Sequence, residues 1–273
     1  MRRSTAGAAA GLLCLAVIAA AHPVQAAPCG GDFSSWLSVF QRVAAAQGIS
    51  QATIASALSG VSPDSKVLSL DRNQRGFRVS FEEFAAKRVT ASRLQKGVRL
   101  LSQHAGTLSR IEQKFGVPGP VIVAIWGLET DYGAVTGKMP VMRALATLAH
   151  DCRRTELFQG ELMSALKLIE RGDLNAAEMR GAWAGELGQT QFLASSYLKF
   201  AVDFDGNGRA DLIRSVPDVL ASTANYLRGY GWKRGQPWTE GTANFEVLKG
   251  WNKSENYQRT IALLARRLAE GGG

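Results

Sequence analysis

The sequence predicts a mainly α-helical fold of the α+β kind. Segment after segment sets its large apolar residues at helical spacing, and strand signals are few. The composition over 273 residues is 46% hydrophobic and 20% charged, as in a globular protein with a sizeable core. That balance excludes a wholly disordered chain, a coiled coil and a polytopic membrane protein. The 29 glycines follow no fixed period, so collagen and simple solenoids are excluded as well.

Residues 1–26 read as a secretory signal peptide rather than as part of the fold. Arg2 and Arg3 form a basic start, an apolar run follows from Gly11 to Ala21, and Val24-Gln25-Ala26 places small residues at a cleavage site after Ala26. The run is short for an uncleaved membrane anchor. Leu12-Leu13 before Cys14 is not the small-residue setting of a bacterial lipoprotein signal, so the mature protein is expected to be exported without a lipid.

The mature part opens with an amphipathic helix over Phe33–Gln47, where Trp36, Leu37, Phe40, Val43 and Ala44 share a stripe behind a capping Asp32. Ser50–Leu58 is a second, short helix, and Val61–Phe77, with Pro63 and Gly76, reads as irregular or short-stranded. Helical pattern resumes over Ser80–Arg88. A longer helix is expected from about Ser92 to Phe115, with Leu94, Val98, Leu101, Leu108, Ile111 and Phe115 on one stripe. Gly116-Val117-Pro118 ends it, and Pro120 opens the next helix, where proline is tolerated. Further helices are expected over Val141–Ala149, Thr155–Arg171, Gln189–Val202, Val216–Tyr230 and Glu255–Ala269.

Removing the signal lowers Lys and Arg from 32 to 30 against 23 acids and leaves a charge of +7. The basic residues are scattered and form no nucleic-acid motif, so a polyanionic envelope polymer is the expected partner and nucleic acid is not. Cys29 and Cys152 are the two cysteines left after Cys14 departs. An even pair in an oxidising compartment suggests one disulfide, with two free thiols as the alternative. The histidines, His104 and His150 in the mature part, are too few for a zinc site, and little is present from which to build a Ser-His-Asp or Cys-His hydrolase.

The chemistry points to Glu129. On a helix beginning near Pro120 it lies four residues after Ile125 and seven after Ile122, on a face of large apolar side chains. A carboxyl there faces the core or a cleft floor, and burial raises its pKa, which suits a general acid near neutral pH. A buried glutamate satisfied by backbone donors would share the same position. Asp131 points to another face and reads as a solvated residue or local cap.

Phe115-Gly116-Val117-Pro118 followed by Ile125-Trp126-Gly127-Leu128-Glu129-Thr130-Asp131-Tyr132-Gly133 resembles the catalytic motif of the membrane-bound lytic murein transglycosylase B family. Ala144–Leu148, Arg153-Arg154, Gly185–Phe192, Ser195-Ser196-Tyr197, Ala201–Phe204 and Ala224-Asn225-Tyr226 agree in the same order, and the likeness covers about residues 80–260. The resemblance implies a lysozyme-like catalytic core with additional helical and small β-containing parts. A mostly helical region over residues 27–110 would pack on a core over 111–240, and a helical segment over 241–273 would complete the fold.

It also implies a peptidoglycan lyase that cleaves the MurNAc-β-1,4-GlcNAc bond without water, gives 1,6-anhydroMurNAc ends, and uses Glu129 first as acid and then as base. Carried over with it are Gln191 as a substrate contact near the cleavage site and Tyr226 as a bonding partner near the carboxylate. Arg153 and Arg154 would be cations for glycan or stem-peptide carboxylates. Asn252 and Tyr257, from Asn252-Lys253-Ser254-Glu255-Asn256-Tyr257, would be cleft residues. The chain departs from the family in carrying Glu186, where a small residue is more frequent, and Ala182, where a serine is. Glu186 reads as a solvated loop charge, but if it lines the cleft a hydrolytic, two-carboxylate muramidase becomes the alternative. A non-catalytic peptidoglycan-binding protein is the other, and a buried, unused Glu129 argues against it. The tryptophans clustered in this half of the chain suit a sugar cleft, but none is singled out.

Asp203-Phe204-Asp205-Gly206-Asn207-Gly208-Arg209-Ala210-Asp211 sets oxygen side chains at positions one, three, five and nine with glycine at six, the EF-hand calcium pattern. Asp203, Asp205, Asn207 and Arg209 are the expected ligand positions. Arg214 stands where the twelfth-position glutamate is usual, so Asp218 is expected to close the site. The resemblance agrees, and a structural calcium of modest affinity follows; a polar turn held by Asx hydrogen bonds is the alternative. No cofactor is expected for the chemistry. The protein is expected to be monomeric, directed to the wall by its cleft, its charge or a partner from cell-wall synthesis or envelope machinery.

Overall fold

The computed structural model describes residues 27–73 and 79–271; the expected signal peptide over 1–26 and residues 74–78 of the segment ending at Phe77 lie outside them. Its helices are α1 (Phe33–Ala46), α2 (Gln51–Leu58), α3 (Ser65–Arg72), α4 (Phe81–Ala86), α5 (Ala91–Gln103), α6 (Ala105–Phe115) and α7 (Gly119–Thr130). The strand β1 (Met139–Pro140) precedes α8 (Val141–His150) and α9 (Thr155–Glu170), and β2 (Arg180–Gly181) precedes α10 (Ala194–Phe200), α11 (Val216–Gly229), α12 (Ala243–Trp251) and α13 (Glu255–Ala269). The two strands form an antiparallel ribbon with Met139 opposite Gly181 and Pro140 opposite Arg180.

A single contiguous cluster of buried apolar side chains runs from Ala27 to Leu268, and α7 lies in its midst. Every residue from Val121 to Gly127 is buried. An all-round apolar helix is stable only when covered on all sides, and α5, α6, α11 and α13 cover this one. Gly116, in left-handed conformation, ends α6 by donating its N–H to the Glu112 carbonyl at 2.8 Å, and Pro120 lies in the first turn of α7.

Four expectations change. The segment over 61–77 contains α3, started by Asp64, whose carboxylate accepts the Lys66 and Val67 amides; Pro63 ends the preceding coil rather than breaking a helix. The helix expected over 92–115 divides at His104, which closes α5 and opens α6, its ring edge-on to Trp126 at 6.0 Å. The helix expected from Gln189 begins only at Ala194. Before it, Gly185, Gly188 and Gln191 all take positive φ in a tight loop closed by reciprocal Leu187 and Phe192 backbone bonds of 2.7 and 2.8 Å. Finally, α12 was not read at all, although Thr242 caps it by accepting the Phe245 amide, and Phe245 and Leu248 carry its buried face.

Cys29 is bonded to Cys152 across 123 residues, fastening the segment before α1 to the end of α8. Gly30 donates to the His150 carbonyl at 2.8 Å, and the His150 ring packs edge-on against Phe33 and Trp36. Replacing both cysteines by alanine is expected to lower the unfolding free energy by about 2–5 kcal/mol. Urea titration of the two proteins measures this, and coincident midpoints would show that the cross-link adds nothing.

Candidate active site

The last turn of α7 opens onto a cavity of about 290 Å³ lined by Glu129, Ala182, Glu186, Gln191, Phe192, Leu193, Ser196, Tyr226, Trp251 and Asn252. α7 stops there because Asp131, Tyr132 and Gly133 follow one another at φ 50°, 59° and 81°. Non-glycine residues resist that conformation by about 1–2 kcal/mol each, so tertiary contacts must hold it. Asp131 is paired with Arg93 at 3.4 Å and Lys96 at 3.3 Å of α5. Tyr132 donates to the Arg93 carbonyl at 2.8 Å, and its ring fills space where a Cβ on Gly97 or Gly127 would collide with it. Asp131 is thus a cap, as read, but one fixed by two cations.

Glu129 is half-buried. Its Oε1 accepts two hydrogen bonds, from Trp251 Nε1 at 2.8 Å and from the Tyr257 hydroxyl at 2.9 Å. No described residue donates to Oε2, so a proton on the carboxyl resides there. Burial pushes the group up to about 7; the Trp251 and Tyr257 donors oppose the rise, and the charge of Glu186 adds to it. Tyr257 is itself held well above the usual phenol range, first by burial and then by Glu129, and so remains a donor.

Of the residues expected at the site, Tyr257 touches Glu129 directly, while Gln191, Tyr226 and Asn252 line the same cavity. Gln191 donates its amide to the Thr136 and Gly188 carbonyls at 3.1 and 2.9 Å. Asn252 Oδ1 accepts the Ser254 amide at 2.9 Å, which leaves Nδ2 as its donor. Tyr226 acts at one remove from the carboxyl: its hydroxyl donates to the Gly250 carbonyl at 2.8 Å and its ring packs edge-on to Trp251 at 4.9 Å, holding that indole toward Glu129.

Arg153 and Arg154 are not brought to the cavity wall. Both guanidiniums pair with Asp71 of α3, which is 1% exposed, Arg153 at 2.8 Å. A carboxylate buried that deeply requires cationic partners, and α3 was not foreseen. Glu186, read as a solvated loop charge, lines the cavity instead. Trp251 was missed because it sits on the unread α12; its place directly before the Asn252–Tyr257 motif was the available signal.

The loop beneath the cavity is anchored by Gln189. Its side chain accepts from Trp126 Nε1 at 3.0 Å and donates to the Ile213 carbonyl at 3.0 Å, while its own carbonyl accepts from the Thr130 hydroxyl. In the acidic loop, oxygens of Asp203, Asp205 and Asp218 all lie within 4.8 Å of one another. Asp203 also accepts the Gly206, Asn207 and Gly208 amides, and Asp218 those of Phe204, Asp205 and Asp211. The Arg209 guanidinium, a cation that cannot ligate a metal, pairs with Asp211 at 3.0 Å, so only the main chain of Arg209 could serve and Asp211 is turned to other duties.

A model of the transglycosylase SLT domain matches residues 32–243. The chain belongs to this family. It is 39% identical over 153 residues to membrane-bound lytic murein transglycosylase B of Escherichia coli K12, a match that takes in 56% of this chain and 42% of that relative, so the chain spans under half of the relative's length. SltB3 of Pseudomonas aeruginosa, solved in complex with NAG-NAM-pentapeptide, superposes with a TM-score of 0.84 at 32% identity over 89% of this chain and 81% of that one. Slt35 of E. coli, solved in complex with calcium, gives 0.79 at 27% identity over 90% and 97%. The mainly α, lysozyme-like fold expected from the sequence is the fold of these family members.

Glu129 is ordinarily a carboxyl of pKa 4.5 and is raised to about 7 in the fold. Relative to the unfolded chain its contribution is intact below pH 4.5 and is lost as pH climbs through about 7, a difference of about 3 kcal/mol. Glu129→Gln is therefore expected to be more stable than the wild type by about that amount at pH 8 and equal to it near pH 4. Paired denaturation at the two pH values checks this, and a gain independent of pH would refute the assignment.

Proposed function

We propose that this protein is a lytic transglycosylase of the bacterial cell wall, a lyase that cleaves the MurNAc-β-1,4-GlcNAc bond of peptidoglycan and leaves 1,6-anhydroMurNAc ends. The observation that carries this reading is a carboxyl poised near neutrality in a cavity, with Oε1 held by two donors and Oε2 free. Protonated Glu129 gives its proton to the glycosidic oxygen as the C1–O bond breaks, and the MurNAc acetamido oxygen attacks C1 to form an oxazolinium. The carboxylate so formed is stabilised by the Trp251 and Tyr257 hydrogen bonds, donors already aimed at the charge that develops. It then takes the proton of the C6 hydroxyl as O6 attacks C1 and the oxazolinium reopens. Glu129 ends protonated, and no water is consumed.

Supporting this are the family membership, the sugar-peptide complexes of SltB3, and the position of Gln191, Asn252 and Tyr226 around the carboxyl. The protein would act in the periplasm, exported by the signal at residues 1–26. A disulfide suits that oxidising compartment, and among the described residues no helix is long and apolar enough to cross a membrane. A partner in cell-wall synthesis or envelope machinery, and a monomeric state, belong to the same reading.

Digestion of purified peptidoglycan by residues 27–273 is expected to release anhydro-muropeptides, with none from Glu129→Gln. The wild-type rate should fall as pH rises through about 7, because the acid is then ionised. Products one water heavier would convert the reading to a muramidase, and release by neither protein would leave a binding role.

The acidic loop fits a hard cation, since three carboxylates and the Asn207 amide supply oxygen ligands. Asp203, Asp205, Asn207, Asp218 and the Arg209 carbonyl would hold calcium, whose charge would offset the crowded carboxylates and stiffen the loop, away from the chemistry. Calcium added after chelator treatment is expected to raise the melting midpoint, and Asp205→Asn to abolish the rise. An identical midpoint with and without calcium would leave the loop as a plain Asx turn.

A further inference from the structure

Glu186 sits on the loop between β2 and α10, and it lines the cavity that holds Glu129. Its Oε2 is sealed from solvent and has no hydrogen-bond partner among the described residues. A carboxyl left in that state lowers stability, yet the loop is built to keep it in place. The Glu186 main-chain carbonyl accepts the Ala182 amide at 3.1 Å, and a Cβ on Gly181 would come within 1.9 Å of that oxygen. Gly185, at φ 89°, leaves no room for a Cβ against Leu145.

The charged groups around Glu186 do not satisfy it. Burial pushes the Glu186 carboxyl above the usual carboxylate range; backbone amides and Arg154 oppose that rise, but the Arg154 guanidinium is paired through Nη2 with Asp71. Glu161 opposes ionisation and is itself engaged by the Ser195 amide and hydroxyl at 2.9 and 2.6 Å. Around the same cavity Asn252 presents a donor and the Gln191 amide nitrogen is tied to the backbone. Among the residues that line the cavity the buried atom lacking a counterpart is thus an acceptor, on a side chain shared with the cavity wall; Arg154 Nε, a buried donor also without a partner, belongs to a residue outside that wall.

We propose that Glu186 is a substrate-binding residue whose carboxyl accepts a hydrogen bond from a hydroxyl or acetamido N–H of the glycan seated at Glu129. The inference rests on the glycan-cleaving reading of this cavity. It assigns Glu186 neither a nucleophile's nor a water-activating role, so the single-carboxyl route through Glu129 stands. As a nearby negative charge Glu186 also favours the proton on Glu129.

Binding separates this proposal from the chemistry. In the Glu129→Gln background, a soluble (GlcNAc-MurNAc)₂ glycan titrated calorimetrically is expected to bind at least about tenfold more weakly when Glu186→Ala is added, the loss typical of a hydrogen bond to a charged group. With Glu186→Gln, which keeps an acceptor, the loss should stay within about threefold. In the otherwise native enzyme, Glu186→Gln is expected to move the alkaline limb of kcat/KM to lower pH, because the charge that favours the Glu129 proton is gone. Glu186→Ala should melt no lower than wild type, since an unsatisfied buried group has been removed, and Glu186→Gln should melt close to wild type. Unchanged affinity in Glu186→Ala, or a fall in melting midpoint that matches the loss of binding, would overturn the proposal. So would water-added products that vanish with Glu186→Gln, which would make Glu186 a base. If glycan binds as expected but the wild type releases no anhydro ends, the proposal on Glu186 survives and the transglycosylase reading fails.

Discussion

Everything at the site depends on holding one carboxyl near neutrality at the C-terminal end of a helix buried along most of its length. α7 is apolar on every side, and Glu129 occupies its penultimate position. Desolvation alone would hold the group higher still. The indole of Trp251 and the phenol of Tyr257 on Oε1 limit the rise, and the group stays near neutrality, where it can both give and take a proton.

That balance requires α7 to end abruptly, just beyond Glu129. The three left-handed residues that end it are held by α5, through Arg93 and Lys96 on Asp131, and by glycines on α5 and α7 that leave room for the Tyr132 ring. Gln189 holds the opposite side, joining Trp126 and Thr130 of α7 to the segment around Leu212 and Ile213 that leads out of the acidic loop. The active-site floor and the acidic loop are consequently one mechanical unit. A change in the order of residues 203–213 would be felt at Gln189, one hydrogen bond away from α7.

The sequence made some of this legible and hid the rest for identifiable reasons. Glu129 could be read because a charged residue on an apolar helical stripe is conspicuous, and the helix that carries it has a clear start. Tyr257 and Asn252 followed from a motif in the right order. Trp251 did not, because α12 is short and its signal lies in one capping threonine and the apolar Phe245, Val247 and Leu248. The helix expected from Gln189 starts late because residues 189–193 belong to a loop whose left-handed Gly185 and Gly188 sit in close contact with Leu145 and Leu212, which no local pattern records. Arg153 and Arg154 looked available to ligand only while Asp71 was thought to lie in irregular chain. Burial of that one carboxylate on α3 claims both guanidiniums.

The two hydrogen bonds on Glu129 span 122 and 128 residues of sequence. They come from α12 and α13, which are made after α7. Until those helices dock, the carboxyl lacks the donors that bring it back toward neutrality, and the cavity lacks the wall formed by Trp251 and Asn252. A partly folded or C-terminally clipped chain would thus hold its acid without the means to use it. Competence arrives in one step with completion of the fold, a built-in safeguard for a protein whose work would be to open the wall around the cell that makes it.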